Sequence, residues 1–373
     1  MAEICESIYY DGTAIMEIEA TYRMIIGQRA NGKTYFWCDK ALDHYFEDGK
    51  PSAYVRRLDE QLKPKLLQTL FDPHIEKIKE LSGGDYNAVT YRGNAFYLIR
   101  REQTAKGNWA IVARDQKPFC YTFAVNTWEN AKGADRGEMW SICFDEFMTR
   151  SFYLANEFVM WSQLVSSITR NRPGVQIFMI ANTVSKSCPY FAEMGLYRIS
   201  KQKQGTIDVY TLGVTCTKFA VEYCAASESI AKTVSHYFCF ENPALDMITT
   251  GGWEMALYRH APIDLAKIGR IMLSFYVQYD DLILQGDIYN YKKYPLIFWH
   301  FKTTEIKNPE KAIIYSSTVI DGNPLHQISM RSGYCRAQEI IYSLIVNQKT
   351  FYANNETGEA VANYLKTQNL KAR

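Results

Sequence analysis

GQRANGKT, running from Gly27 to Thr34, satisfies every fixed position of the phosphate-binding pattern G-x-x-x-x-G-K-[ST]. Its surroundings decide the fold. Met24-Ile25-Ile26 is a short apolar run that stops at Gly27 and reads as a buried strand. Thr34 to Phe46 then carries apolar residues at helical spacing (Phe36 and Trp37, Ala41, Tyr45), with Gly49 as the C-cap and Pro51 beyond it. Strand, Gly-rich loop and helix form the setting in which backbone N–H groups at a helix N-terminus hold a phosphate. The alternative, a chance match in a glycine-containing turn, would need neither flank. On the nucleotide reading, Gly27, Gln28, Arg29, Ala30, Asn31, Gly32 and Lys33 cradle the phosphates of ATP. Lys33 reaches the β- and γ-phosphates, and the Thr34 hydroxyl ligates Mg2+.

The bulk properties narrow the setting. The chain has 373 residues, 47% of them hydrophobic and 14% aromatic, enough to fill more than one core. A net charge of +2 announces no global basic field, so any contact with nucleic acid is a local patch. The nine cysteines include no C-x-x-C pair and are odd in number, which suits free thiols rather than a disulfide framework. The six histidines are scattered singly and give no zinc spacing. No apolar run approaches the roughly 18–20 residues that span a bilayer, and MAEICESIYY lacks the basic start of a signal peptide. These features predict a soluble intracellular protein with no membrane partner.

Further along, Ala53-Tyr54-Val55 reads as a second strand ending in Arg56-Arg57. Tyr86 to Val125 breaks into short strand-like runs with turns at Gly93-Asn94 and Lys106-Gly107-Asn108, a β-rich insertion. Trp140 to Phe144 is a buried strand that ends in Asp145-Glu146. Phe158, Trp161, Leu164, Val165 and Ile168 mark one face of a helix that stops before Pro173-Gly174, and Val175 to Ala181 is another apolar strand, ending at Asn182. Strands this apolar are covered on both faces, as in a parallel α/β sheet. Past about 215 the alternation fails. Residues 217–232 are expected as a helix, and 240–264, with Pro243, Gly251-Gly252 and Pro262, as a linker. Strands near 270–279, 282–289, 296–301 and 312–319, followed by helices near 336–346 and 358–368, predict a small α+β domain. The expected division is therefore 1–214, a P-loop ATPase domain of ASCE/RecA-like α/β type; 215–264, a linker or lid; and 265–373, the α+β domain.

Polar residues at the strand ends supply the remaining chemistry. Asp145, at the end of a buried strand, suits Mg2+ binding through water, and Glu146 beside it suits polarising an attacking water. Such a carboxylate pair favours a motor-type ATPase over a small GTPase switch. Asn182 either points its amide at the γ-phosphate or is an ordinary turn residue. Arg170 and Arg172 either complement the dipole at the end of their helix or supply an arginine finger to a neighbouring subunit.

With IIGQRANGKTY at 25–35, YVRR at 54–57, WENAK at 128–132, ICFDEF at 142–147, TRNR at 169–172 and IANTVSKSCPYF at 180–191, the first domain resembles the DNA-packaging ATPases of phi29-like phages, relatives of the large-terminase motors. Order and spacing agree across roughly residues 20–195. The resemblance implies Lys33 as P-loop lysine, Thr34 and Asp145 as Mg2+ ligands, and Glu146 as catalytic glutamate. It further implies Arg170 as a trans-acting finger, Lys132 as a lysine acting on the neighbour's nucleotide, and Asn182 as the sensor that couples hydrolysis to movement. On the residues alone, Lys132 is a solvated loop lysine. Arg56 and Arg57 match an arginine pair in the family, which leaves a nucleotide role and a structural ion pair both open. The implied partners are double-stranded DNA, the portal or connector of the capsid, copies of the same chain in a pentameric ring and a packaging RNA. The implied location is the host cytoplasm, with transient docking at the prohead portal vertex.

By the same resemblance the C-terminal domain is a vestigial RNase H-like nuclease fold. A two-metal nuclease needs several converging carboxylates. The strand Leu273 to Tyr279 has none, Asp280 and Asp281 fall in a turn, and Asp287 and Asp321 are too few. No nuclease activity is expected. Aromatics and lysines alternate in YNYKKYPLIFWHFK (Tyr289 to Lys302), which suits either a nucleic-acid contact or a half-buried strand with snorkelling lysines. Competing functions are a helicase or partition motor, a nucleotide-binding module with a dead site, and a terminase with an active nuclease.

Overall fold

The computed structural model describes residues 10–133, 136–149, 153–170, 172–184, 188–213, 215–225, 253, 258–261, 270–279, 282–291, 294–316, 321–331, 334–368 and 370. The chain divides into two units, Met1–Glu254 and Met255–Arg373.

In the first unit the described elements run α1 (Thr13–Glu17), β1 (Tyr22–Gly27), α2 (Lys33–Asp48), β2 (Ser52–Arg56), α3 (Pro64–Leu67), α4 (Ile75–Leu81), β3 (Ala88–Tyr91), β4 (Ala95–Gln103), β5 (Trp109–Arg114) and β6 (Cys120–Ala124). A 3-10 turn over Val125–Ala131 leads to β7 (Ser141–Asp145), α5 (Glu157–Thr169), β8 (Gln176–Asn182), α6 (Pro189–Glu193), β9 (Thr206–Leu212) and β10 (Thr217–Tyr223). These strands form one sheet in the order β3-β4-β6-β2-β7-β8-β1-β10-β9, with β5 paired to β4. From β6 to β10 the neighbours are parallel, while β3, β4 and β5 extend one edge with antiparallel pairing. This is a RecA-like P-loop fold with a mixed-sheet insertion.

The apolar run before the phosphate loop shows why the sheet is central. In β1, Met24 and Ile26 join a core cluster with Trp161 and Leu164 of α5, whereas Ile25 joins the cluster of Trp37 and Leu42 of α2. Both faces are thus covered by helices, as all-apolar parallel strands require. α2 ends where Gly49 adopts φ +71°, its N–H donating to the Tyr45 carbonyl. That left-handed cap is the one expected from Gly49.

One expectation fails. Residues 217–223, read as the start of a helix, form strand β10, which pairs parallel to β1 and carries the sheet past residue 214. Phe219, Val221 and Tyr223 alternate with Lys218, Ala220 and Glu222, a period-two pattern that local helix propensity had obscured. Residues 224 and 225 are not helical either, and the rest of that expected helix (226–232), most of the linker at 240–264 and the Asp280-Asp281 turn lie outside the described residues.

The second unit contains β11 (Ile271–Tyr279), β12 (Leu282–Tyr291), β13 (Tyr294–Phe301), β14 (Ile313–Ser316), β15 (His326–Gln327), α7 (Arg336–Val346), β16 (Thr350–Tyr352) and α8 (Asn355–Thr367). Its sheet has the order β15-β14-β11-β12-β13-β16. The first three strands are antiparallel; β14 then joins parallel to β11, and β15 parallel to β14. Phe275, Val277, Ile297 and Trp299 pack with Ile341, Leu344, Val361 and Tyr364 of the two helices. Among the described residues of the chain, no helix is long and apolar enough to cross a membrane.

Candidate active site

The phosphate loop leaves β1 at Gly27 and enters α2 at Lys33. Gly32 has φ +94°, a backbone state closed to most side chains at low cost, and Ala30 also turns left-handed at φ +58°. These reversals turn successive main-chain N–H groups inward, the nest that binds an anion at a helix N-terminus. The cleft above is about 310 Å³, lined by Ala30 to Tyr35 of the loop, Asp145 and Glu146 at the end of β7, and Ile180 to Asn182 at the end of β8. That volume falls at the lower end of small-molecule sites. Gly27, Gln28 and Arg29 do not line the cleft, but the first two take part through their carbonyls.

Lys33 is buried and folds over the loop. Its ammonium donates to the carbonyls of Gln28 at 2.7 Å and Gly27 at 3.4 Å, and to the side-chain oxygens of Asn31 at 2.9 Å and Asn182 at 3.4 Å. Burial pulls this ammonium down to about 8, a shift that Cys224 and Asp145 nearby offset only in part. Asn182 is delivered there by register, since it stands opposite Gly27 where β8 pairs with β1.

On the far side of β8, Asp145 ends β7 opposite Ile180. The Thr34 hydroxyl donates to Asp145 Oδ1 at 3.2 Å, and the Tyr54 hydroxyl donates to Oδ2 at 2.7 Å. Burial raises the Asp145 carboxyl above the usual carboxylate range, against the pull of Arg56 and the bonds from Tyr54 and Thr34. Arg56 lies 3.3 Å from Asp145 and also pairs with Glu146. Two oxygen donors facing each other, one of them a carboxylate, suit a hard cation such as Mg2+. Among the described residues there is no cluster of three or more histidine, cysteine or acidic side chains that would suit another metal.

Arg170 and Lys132 stand elsewhere. α5 spans 13 residues, and at about 1.5 Å per residue it is roughly 20 Å long from end to end. β8 then starts at Gln176 beside Ser141, the opening residue of β7, at the sheet end opposite the cleft. Arg170, exposed and left-handed at φ +48°, caps α5 at that end. Lys132 is also exposed, 4.0 Å above the Trp128 ring and paired to Glu129. Arg136 bonds to the Ala131 carbonyl and Arg172 to the Gly137 carbonyl. Burial, with Arg170 nearby, lowers the Arg136 guanidinium. Arg136 and Arg170 are thus near each other, and neither they nor Lys132 line the phosphate-loop cleft.

The structure separates the two arginines of the YVRR motif. Arg56 reaches the carboxylates, while Arg57 turns into the core and pairs with Glu157. Tyr54 is a site residue that the sequence did not reveal; its hydroxyl is read only once β2 is known to lie beside β7. In the second unit, Asp287 accepts from Ser274 at 2.6 Å and Gln285 at 2.8 Å and pairs with His300 at 2.9 Å. Burial would raise that carboxyl, but these three bonds hold it below the usual range. Asp321 is engaged separately, by His326 and the Asn323 N–H.

Comparison with known proteins follows the same lines. Residues 4–211 match the family model described as podovirus DNA encapsidation protein (Gp16). The chain is 24% identical over 191 residues to the DNA packaging proteins of Bacillus phages phi29 and PZA. That match covers 50% of this chain and 50% of each relative, so the chain spans about half the length of the curated relatives it matches. Among solved structures, the bacteriophage Phi-29 genome packaging motor assembly aligns with a TM-score of 0.58 at 16% identity, covering 97% of this chain and 99% of that one. The Phi-28 gp11 DNA packaging motor aligns at 0.54, also at 16% identity, covering 98% and 99%. At such identities the likeness is one of fold.

Proposed function

The chain belongs to the podovirus DNA encapsidation protein family, and on that premise we propose that it is an ATP-hydrolysing motor that moves double-stranded viral DNA into a preformed capsid as a ring of identical subunits. One observation carries this reading. The phosphate-loop cleft holds Lys33, Thr34, Asp145 and Glu146 together, while the arginine that would complete it, Arg170, caps the far end of α5. A subunit cannot bring that arginine to its own nucleotide without unmaking the helix. The finger therefore serves a neighbour, through the head-to-tail contact that generates rings.

Within the cleft, the main chain of Ala30 to Thr34 receives the phosphates and Lys33 exchanges its carbonyl partners for phosphate oxygens. Mg2+ held by Thr34 and Asp145 would neutralise charge on the β- and γ-phosphates. Glu146 orients the attacking water and takes its proton. Before it can do so its carboxylate must leave Arg56. A neighbour's Arg170 and Lys132 stabilise the charge on the transferring group. Asn182, which ends β8 and accepts from Lys33, senses the γ-phosphate and passes its loss to the segment that follows.

The surrounding assignments have the same standing. We read the motor as running through β10 to residue 223, which lies in its sheet, the segment from there to 264 as linker or lid, and 265–373 as an RNase H-like domain without nuclease activity. The three antiparallel strands flanked by parallel β14 and β15 on one edge and parallel β16 on the other support that fold, and the separate engagement of Asp287 and Asp321 supports the loss of cutting. The ring, its portal docking, its DNA contact through phosphates and a packaging RNA follow from the family reading.

The test is ATP turnover with and without DNA and emptied proheads. Wild type should be stimulated, whereas Lys33→Ala should lose nucleotide binding and Arg170→Ala should bind ATP but lose stimulation. Equal DNA stimulation of wild type and Arg170→Ala would overturn the reading.

A further inference from the structure

Glu146 is held in an uncommon backbone state. Its φ is +55°, in the left-handed region that costs a non-glycine residue roughly 1–2 kcal/mol, and such strain persists only where surrounding contacts enforce it. The enforcing contacts can be named. The Glu146 N–H donates to Asp145 Oδ1 at 3.1 Å. On its other side, the Arg57 guanidinium donates to the carbonyl of Glu146 at 3.3 Å and to that of Phe147. Both carbonyls following the bend are therefore gripped by one rigid planar group.

Arg57 is fixed in turn. Its Nε lies 3.0 and 2.9 Å from the two oxygens of Glu157, the first residue of α5. Glu157 also accepts from the Tyr190 hydroxyl at 2.9 Å and the Leu154 N–H at 2.7 Å. Arg57 lies over the rings of Tyr153 and Phe144. Arg57 and Glu157 are 6% and 4% exposed and Tyr190 is fully buried. A buried ion pair is an expensive way to gain stability, and apolar residues of similar volume serve as well. Its geometry here, with the guanidinium edge turned to two main-chain carbonyls beside the proposed catalytic glutamate, gives it another use.

We propose that Arg57 and Glu157 are positioning residues that clamp the main chain after Glu146 and so present its carboxylate to the attacking water. This rests on the ATPase reading and deepens it. Neither residue lines the nucleotide cleft, so neither contributes to ATP affinity. Glu157 also opens the helix that ends in Arg170, so the clamp ties the water-orienting residue to the finger's own helix.

Two variants test the clamp, each in the wild-type and the Glu146→Gln background. Glu157→Gln removes the charge, and the double variant Arg57→Met with Glu157→Gln removes the clamp without leaving an orphan buried charge. Single-turnover hydrolysis and the Kd of a fluorescent ATP analogue are measured for each, with a thermal melt. The expected result is a loss of about tenfold to a hundredfold in rate, with Kd within about twofold of wild type. In the Glu146→Gln background the same changes should cost less than about twofold, because residues acting through one group are non-additive. Equal losses in both backgrounds, a loss matched by weaker ATP binding, or an unchanged rate would overturn the proposal. So would a double variant that no longer melts cooperatively, since the pair would then be part of the core. If wild type and Glu146→Gln hydrolyse ATP equally, the ATPase reading itself fails.

Discussion

Lys33 is a buried cation whose hydrogens go to neutral oxygens, and this has a consequence in pH. With its folded value near 8, the ammonium is charged below pH 8 and progressively neutral above it. Phosphates need it charged, so above pH 8 binding must also take up a proton. ATP affinity should therefore be flat from pH 6 to about 7.5 and fall, by at most about tenfold per unit, from pH 8 to 10. Titrating a fluorescent ATP analogue at pH 7, 8 and 9 checks it, and constant affinity would show that Lys33 is charged throughout. At this scale much of the site was legible. Lys33, Thr34, Asp145 and Glu146 follow from motif spacing, and Asn182 from its place at a strand end. Tyr54 and the parting of Arg56 from Arg57 were not, because they depend on which strand lies beside β7. Neighbour relations in a parallel sheet are set by long crossovers, and no local pattern records them.

Element by element, strand and helix periodicity served well wherever the core fixed it. The exception, β10, combines alternating apolar residues with an alanine and a glutamate that also suit a helix. Ala220 is buried, and Glu222 is bonded to Tyr10 at 2.5 Å, so both faces of β10 carry contacts that local propensity cannot anticipate. The second unit offers a test of how tightly its sheet is built. A Cβ placed on Gly286 of β12 would lie 2.4 Å from the Phe275 ring, which fills the core beside Trp299. Gly286→Ala should destabilise this unit by about 1–3 kcal/mol through displacement of that ring. Chemical denaturation reads the shift, and an unchanged midpoint would mean that Phe275 has room to move. By contrast α5 matters for where it ends. Its 13 residues place Arg170 at the wrong end of the sheet for its own nucleotide, and on the proposed reading the helix is a spacer between one site and the next.

For the molecule as a whole, the near-neutral charge and the absence of metal spacing excluded several classes without naming a function, and the resemblance across residues 20–195 supplied the motor. If the site is shared between neighbours, specific activity must depend on assembly. ATP turnover per subunit should rise steeply with protein concentration as rings form, and a flat profile over the same range would count against sharing. The most direct measurement mixes two dead subunits. Glu146→Gln keeps the finger and loses the water-orienting group; Arg170→Ala keeps that group and loses the finger. Each alone should turn over far more slowly than wild type. In randomly mixed rings up to about a quarter of interfaces join an intact site to an intact finger, so the account predicts that mixing restores a corresponding share of wild-type turnover. Mixtures no more active than the separate variants would contradict it, because each subunit would then have to complete its own site.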